Sequence, residues 1–164
     1  MFSYWWPRSQ TSVEVGTYDR HMTSITADLT SGTLVEIRNG RHVWYADEPT
    51  DLSGTDKGPN PYEMLLGSLA ACTSITISFY AKRKGWNVES VSVKYDYEKV
   101  HAQDCDDCDD DATGWLDGVR STIFIEGSFD DAQRARLTEV AQRCPVHKTL
   151  DNGITFIEET ITVG

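Results

Sequence analysis

The chain of 164 residues contains 15 Lys and Arg residues and 26 Asp and Glu residues, so its net charge is −11. This acidic balance argues against a nucleic-acid partner, because binding a phosphate backbone needs clustered positive charge. The sequence shows neither a signal peptide nor a long uninterrupted apolar run, so we expect a cytoplasmic protein without a membrane partner. The length fits one domain over residues 21–164, preceded by an irregular arm over residues 1–20.

The first predicted elements are three strands between Met22 and Tyr45, where apolar and polar residues alternate. The pair Asn39-Gly40 predicts a type I′ turn between the second and third strands, because both central residues of that turn need positive φ. A loop rich in turn-forming residues follows over Asp47–Pro59.

A long helix is predicted to begin after Asn60 and to end near Gly85. The start Asn60-Pro61-Tyr62-Glu63 has the form of a capping box, with Asn as the N-cap and proline at the first helical position. Nearly every residue from Met64 to Phe79 is apolar or small, so we expect the helix to be buried on most sides.

The second half of the chain predicts two strands, two helices and a last strand. In order these are Val88–Val100, Gly118–Phe129, Ala132–Arg143, Pro145–Asp151 and Ile154–Val163. The acidic stretch 104–111, which supplies six of the excess negative charges, forms the long tip of an antiparallel hairpin. A proline cannot continue a helix, so Cys144 is expected to be the N-cap of a new one. The order βββ–α–ββ–α–α–β is typical of an α+β fold.

Two of the four cysteines occupy different helical settings. Cys144 at a helix start would have a lowered pKa, because free N–H groups and the positive end of the helix dipole favour a thiolate. It could equally be a small apolar residue that fills a helix junction. Cys72 lies in the middle of the long helix, where a cysteine is either an inert buried thiol or a reactive one activated by tertiary contacts.

The remaining cysteines belong to the spacing His101-x3-Cys105-x2-Cys108. Three such side chains on a loop rich in carboxylates could hold zinc with a fourth ligand. The two cysteines could instead form a reversible disulfide, or the loop could be solvated without fixed chemistry.

Two stretches of the chain resemble the OsmC/Ohr family, the osmotically inducible and organic hydroperoxide resistance proteins. Gly58–Trp86 (GPNPYEMLLGSLAACTSITISFYAKRKGW) is similar to the central helix that carries the first cysteine of that family. Arg143–Leu150 (RCPVHKTL) is similar to its second cysteine motif. The resemblance implies a two-layer α+β fold, with antiparallel sheets packed on a long central helix in an intertwined homodimer.

The resemblance also implies a thiol peroxidase that requires no cofactor. Cys72 would attack an organic hydroperoxide, or hydrogen peroxide, and become a sulfenic acid. Cys144 would resolve it as a disulfide, and an external dithiol would restore both thiols.

The chain departs from the family peroxidases at the charged residues of their site. Those proteins place a catalytic Glu directly after the proline of the first motif, where this chain has Tyr62 and then Glu63. They also use an Arg that this chain lacks at the aligned place. We expect Arg38 to replace it as the cation that keeps Cys72 ionised, oriented by an ion pair with Glu63.

These departures also favour an alternative function, a non-enzymatic OsmC-like protein. Such a protein would bind a metal through His101, Cys105 and Cys108, or a small apolar ligand at the dimer interface.

Overall fold

The structure is a computed structural model that describes residues 24–104, 113–155 and 161–163. The predicted arm over residues 1–20 lies outside the described residues, as do Cys105, Cys108 and most of the acidic tip. Half of the strand predicted for Ile154–Val163 also falls outside them, and its described ends have no regular structure.

Three short strands form an antiparallel sheet near the start of the described chain, as predicted. They are β1 (Thr26–Ser31), β2 (Leu34–Arg38) and β3 (Val43–Ala46), paired in chain order. A loop with one short 3₁₀ turn, Thr50–Leu52, leads from this sheet to the first helix.

The turn between β2 and β3 differs from the predicted type I′ turn. Its only positive φ is that of Gly40, at 84°. Asn39 instead uses its side chain, whose Oδ1 accepts hydrogen bonds from the backbone N–H groups of Arg41 (3.2 Å) and His42 (2.9 Å). The type I′ prediction was wrong because Asn can build a turn either through its backbone or through its side chain.

The long helix α1 (Pro61–Lys84) has both of the predicted end signals. Asn60 Oδ1 accepts a hydrogen bond from the Glu63 backbone N–H (3.0 Å), and the Glu63 carboxylate accepts one from the Asn60 backbone N–H (2.8 Å). At the other end Gly85 adopts the left-handed conformation, with φ of 69°. The capping box and the glycine therefore fix where the helix begins and ends.

The second half of the chain consists of one long hairpin and two helices. The hairpin strands β4 (Val88–His101) and β5 (Trp115–Gly127) pair antiparallel, and a short 3₁₀ turn, Ala102–Asp104, follows β4. Helix α2 (Asp131–Ala141) has Asp130 as its N-cap, and helix α3 (Pro145–Asn152) has Cys144 as its N-cap. The predicted break at Pro145 is confirmed.

The hydrophobic core lies between α1, α2 and the inner face of the hairpin. Its fully buried members are Ile77 on α1 and Leu137, Val140 and Ala141 on α2. Partly buried side chains complete it, namely Tyr80, Trp86, Val91, Ile123, Ile125 and Phe129. Of the two sheets in the described part of one chain, the β4–β5 sheet is the one that packs extensively on α1.

Most of the surface of α1 remains uncovered within a single chain, so the predicted burial on most sides would need a partner. The buried stripe is formed by Leu69, Thr73, Ile77 and Ala81. Other large apolar side chains of the helix are exposed, namely Tyr62, Leu65, Ile75 and Phe79. By length and composition α1 could also cross a membrane, a property that it shares with core helices of soluble proteins. An apolar surface of this kind needs a partner of some kind to cover it.

Candidate active site

The packing of α3 on α1 brings together two cysteines that are far apart in the sequence. Cys72 lies in the middle of α1, and Cys144 is the residue from which α3 begins. Both are free thiols, and each is among the groups that shift the pKa of the other. The fold therefore brings together the two cysteines that the resemblance implies as a redox couple.

The two thiols differ in their access to solvent. Cys144 is completely buried, with its sulfur 3.9 Å from the backbone carbonyl oxygen of Leu69. Cys72 is only partly buried. A small molecule arriving from solvent can therefore reach the sulfur of Cys72 first.

The surroundings of Cys144 favour its thiolate. Burial acts to raise the pKa of the Cys144 thiol, but interactions with the Cys72 thiol, the His147 backbone N–H and the Thr73 hydroxyl outweigh it and lower that pKa. The backbone N–H groups at the start of α3 act on the sulfur without forming a side-chain capping hydrogen bond. The expectation of a low-pKa thiol at this helix start agrees with this geometry.

The surroundings of Cys72 favour its protonated form. Burial raises the pKa of the Cys72 thiol, and the hydrogen bond to Cys144 raises it further. In the single chain, therefore, the pKa of Cys144 is lowered and that of Cys72 is raised. The described contacts place no cation beside Cys72, so the expectation that a cation keeps it ionised stays a prediction.

Two hydroxyl groups that the sequence analysis did not single out lie beside the dithiol. Thr73 is completely buried, and its Oγ1 is 3.0 Å from the hydroxyl oxygen of Tyr95 on β4. The Thr73 hydroxyl also interacts with Cys144. A signal was present, because Thr73 is the polar member of the buried stripe of α1 and Tyr95 alternates onto the inner face of β4.

The two charged residues expected at the site have other partners in the described chain. The Glu63 carboxylate belongs to the capping box of α1. Arg38 pairs with Asp28 and, at 3.2 Å, with Glu36. The expected ion pair between Arg38 and Glu63 is absent from the described contacts, because each charge is already bound by a nearer group of its own element or sheet.

The expected metal ligands can be placed only in part. The His101 ring packs edge-on against Trp115, with ring centroids 5.4 Å apart, and its Nδ1 accepts a hydrogen bond from the Gln103 backbone N–H. Cys105 and Cys108 lie outside the described residues. Among the side chains that are described, no cluster of three or more His, Cys, Asp or Glu residues could hold a metal ion.

Comparison with known protein families identifies the chain. The family of OsmC-like proteins matches residues 54–159, a stretch that includes α1, the hairpin and both cysteines of the pair. The chain belongs to the OsmC family. None of the curated proteins matches it.

Solved structures of this family share the fold of the chain at low sequence identity. An OsmC-like protein from Mycoplasma pneumoniae is 22% identical, with 80% of this chain and 89% of that chain covered and a TM-score of 0.62. The organic hydroperoxide resistance protein OsmC from Legionella pneumophila is 21% identical, with 79% and 88% covered and a TM-score of 0.53. The hydroperoxide resistance protein OhrB of Bacillus subtilis is 18% identical, with 77% and 88% covered and a TM-score of 0.51. These similarities establish the OsmC α+β fold.

Tyr62, which stands where the family peroxidases have their Glu, begins a polar cluster at the start of α1. Its ring lies 4.8 Å from that of Tyr97 on β4, centroid to centroid. The Tyr97 hydroxyl donates a hydrogen bond to Asp117, whose carboxylate also pairs with Lys99 at 2.7 Å. The hydrogen bond to Asp117 raises the pKa of Tyr97 strongly, so its hydroxyl stays protonated. The start of α1 therefore lies beside a protonated hydroxyl, that of Tyr97.

Proposed function

We propose that this OsmC protein is a thiol peroxidase that reduces organic hydroperoxides and, less efficiently, hydrogen peroxide. The observation that supports this most directly is the contact between the partly exposed Cys72 and the buried Cys144. Membership of the OsmC family and the hydroperoxide resistance proteins among the similar structures agree with it. The proposed chemistry requires no cofactor.

The first step is an attack on the peroxide by the sulfur of Cys72. A new S–O bond forms to the terminal peroxide oxygen while the O–O bond breaks, so Cys72 becomes a sulfenic acid. Because the thiolate is the nucleophile, the Cys72 proton first passes to Cys144 and then to the leaving oxygen, which gives an alcohol. Cys144 is thereby left as a thiolate beside the oxidised sulfur.

The second step is the formation of a disulfide. The Cys144 thiolate attacks the sulfur of the Cys72 sulfenic acid, the S–O bond breaks, and hydroxide leaves. The packing of α3 on α1, which makes each cysteine act on the pKa of the other, supports this step. An external dithiol would then reduce the disulfide and return both thiols.

The active molecule is proposed to be a homodimer in the cytoplasm. Its support is the uncovered apolar surface of α1, where Ile75 is 50% exposed and Phe79 is 71% exposed. Side chains of this size stay exposed in a monomer only at a cost in free energy, and burial against a second copy removes that cost.

Peroxide consumption by single-cysteine variants tests the proposed function. We expect Cys72→Ser to lose turnover of an organic hydroperoxide, while Cys144→Ser accumulates a Cys72 sulfenic acid that a dimedone-type reagent can trap. Wild-type protein treated with one equivalent of peroxide should show the Cys72–Cys144 cross-link by mass spectrometry.

The double variant Cys105→Ser/Cys108→Ser provides a matched thiol control and should retain turnover. Equal peroxide consumption by wild type and Cys72→Ser would refute the proposal. Lack of consumption by wild-type protein supplied with a dithiol would refute it as well and would favour a non-enzymatic role.

A further inference from the structure

We infer that the paired hydroxyls of Thr73 and Tyr95 form a hydrogen-bond relay beside the buried Cys144 that prepares this residue for disulfide formation. The inference rests on the proposed function for its role in turnover. Both are positioning residues, because they act through Cys144 and touch neither the peroxide nor the sulfur that it oxidises.

The relay begins with the unusual burial of Thr73. It lies on the buried stripe of α1 between Leu69 and Ile77, and its side chain has no exposed area. A hydroxyl in such a place costs free energy unless it is hydrogen-bonded. Its position next to Cys72 in sequence turns its side chain by about 100° around the helix, toward α3 and β4.

Hydrogen-bond accounting sets the direction of the relay. A threonine hydroxyl has one proton to donate and lone pairs with which to accept. Thr73 pairs with Tyr95 Oη at 3.0 Å, and its hydroxyl is also among the groups that lower the pKa of the Cys144 thiol. A thiolate can only accept, so in the thiolate form of Cys144 the Thr73 hydroxyl would donate to the sulfur and Tyr95 would donate to Thr73. Linked donors of this kind strengthen one another in a buried site.

The groups that surround the sulfur of Cys144 are neutral, and they act on it through hydrogen bonds. The groups that act most strongly on its sulfur are the Cys72 thiol, the backbone N–H groups of Val146 and His147, and the Thr73 hydroxyl. The Leu69 carbonyl oxygen, at 3.9 Å, accepts a hydrogen bond only from the protonated thiol. The hydroxyl relay therefore offsets a carbonyl that would otherwise favour the protonated form.

The inference predicts which step of the proposed cycle depends on the two hydroxyls. Attack on a sulfenic acid requires the resolving sulfur as a thiolate. Loss of the relay should therefore slow disulfide formation more than the first oxidation of Cys72. The same loss should appear as a shifted titration of Cys144 even when no peroxide is present.

The first test titrates the Cys144 thiolate by its ultraviolet absorbance in a Cys72→Ala/Cys105→Ser/Cys108→Ser background, where it is the remaining thiol. Thr73→Val removes the hydroxyl at nearly constant volume, and Tyr95→Phe removes the outer donor. We expect Thr73→Val to lower the thiolate fraction at neutral pH by about tenfold, as for loss of a hydrogen bond to a charged group, and Tyr95→Phe to lower it less.

Two variants provide controls for a merely structural effect. Thr73→Ser keeps the hydroxyl and should titrate like the parent. Tyr97→Phe removes a hydroxyl two residues further along the same face, which bonds to Asp117 instead, and should also leave the titration unchanged. A titration that neither Thr73→Val nor Tyr95→Phe moves, or that Tyr97→Phe moves as far, would overturn the relay.

The second test separates the two steps of turnover in protein with all its cysteines. After one equivalent of peroxide, sulfenic acid formation should proceed as in wild type, while disulfide formation slows by about tenfold in Thr73→Val. Should Thr73→Val fail to fold, the same measurements on Tyr95→Phe decide the question. A wild-type protein that consumes no peroxide would refute the proposed function, whereas the titration would still test the relay.

Discussion

Among the single residues of the described chain, Asp47 is notable for the number of hydrogen bonds that its carboxylate accepts. It is 2% exposed, and its carboxylate accepts hydrogen bonds from the hydroxyls of Thr33 and Thr55, each at 2.6 Å. The backbone N–H groups of Glu48 (2.9 Å) and Thr55 (3.0 Å) also donate to it. These bonds, led by that from Thr33, hold the pKa of Asp47 well below its usual range. One carboxylate thus fixes the loop that leads into α1.

Replacing Asp47 should therefore destabilise the fold in a pH-dependent way. Its folded-state pKa lies below the value in the unfolded chain, about 3.9. The carboxylate stabilises the fold at neutral pH, and this contribution is lost as the pH falls below about 4. We expect Asp47→Asn to lower the Tm at neutral pH and the difference from wild type to shrink in acid.

Thermal unfolding at several pH values measures this effect. Asp51→Asn, at an exposed carboxylate in the same loop, is the matched control and should leave the Tm nearly unchanged. A constant difference between Asp47→Asn and wild type across the acid range would contradict the assigned role of its charge.

The sequence predicted some of these residues better than others. The N-cap position of Cys144 was predictable because Pro145 breaks a helix wherever it occurs. The raised pKa of Cys72 was not predictable, because it depends on burial and on Cys144 meeting Cys72 in space. Arg38 and Glu63 were assigned to the site by resemblance, whereas local partners bind both in the described chain.

Among the elements, α1 is the one whose ends follow most directly from local sequence. Reciprocal hydrogen bonds between Asn60 and Glu63 satisfy two backbone N–H groups that a helix start otherwise leaves free. The capping residues are adjacent in sequence, so no tertiary contact is needed to predict them. The burial of α1 on most sides stays a prediction for the opposite reason, because it depends on what covers the helix.

Changing the N-cap should cost stability without altering the fold. Asn60→Ala removes the acceptor for the Glu63 N–H and should lower the free energy of unfolding by about 1 kcal/mol. Asn60→Ser keeps an acceptor at the same place and should remain close to wild type. Urea unfolding of the three proteins under reducing conditions measures the differences. An Asn60→Ser variant as unstable as Asn60→Ala would show that the capping hydrogen bond is not the cause.

In the whole molecule, the main feature is the apolar surface that one chain leaves uncovered. A groove of about 620 Å³ runs between the second half of α1 and the start of β4, with Ile75, Phe79 and Trp86 in its lining. The β1–β3 sheet adds exposed apolar side chains of its own, Leu29, Val43 and Tyr45. The described part of one chain thus has two apolar surfaces and one extensively packed core.

A charge placed on this surface should separate the proposed dimer. Phe79→Glu would bury a carboxylate in the contact, so we expect the solution mass measured by light scattering, without detergent, to fall from two copies to one. Phe124→Glu is the matched control, because Phe124 is 63% exposed on the outer face of β5. A wild-type mass of one copy would contradict the proposed dimer, and so would a Phe79→Glu variant that remains a dimer.

The contact between Cys72 and Cys144 has a consequence beyond chemistry, because the two residues lie far apart in the sequence. A disulfide between them would close a loop of roughly 70 residues that contains the second half of α1, the whole hairpin and α2. Closing a loop of that length removes enough entropy from the unfolded chain to stabilise the fold by about 4 kcal/mol. The oxidised protein would then resist unfolding, and so digestion by proteases, better than the reduced one. A peroxide that consumes the thiols would, in the same event, lengthen the lifetime of the protein that removed it.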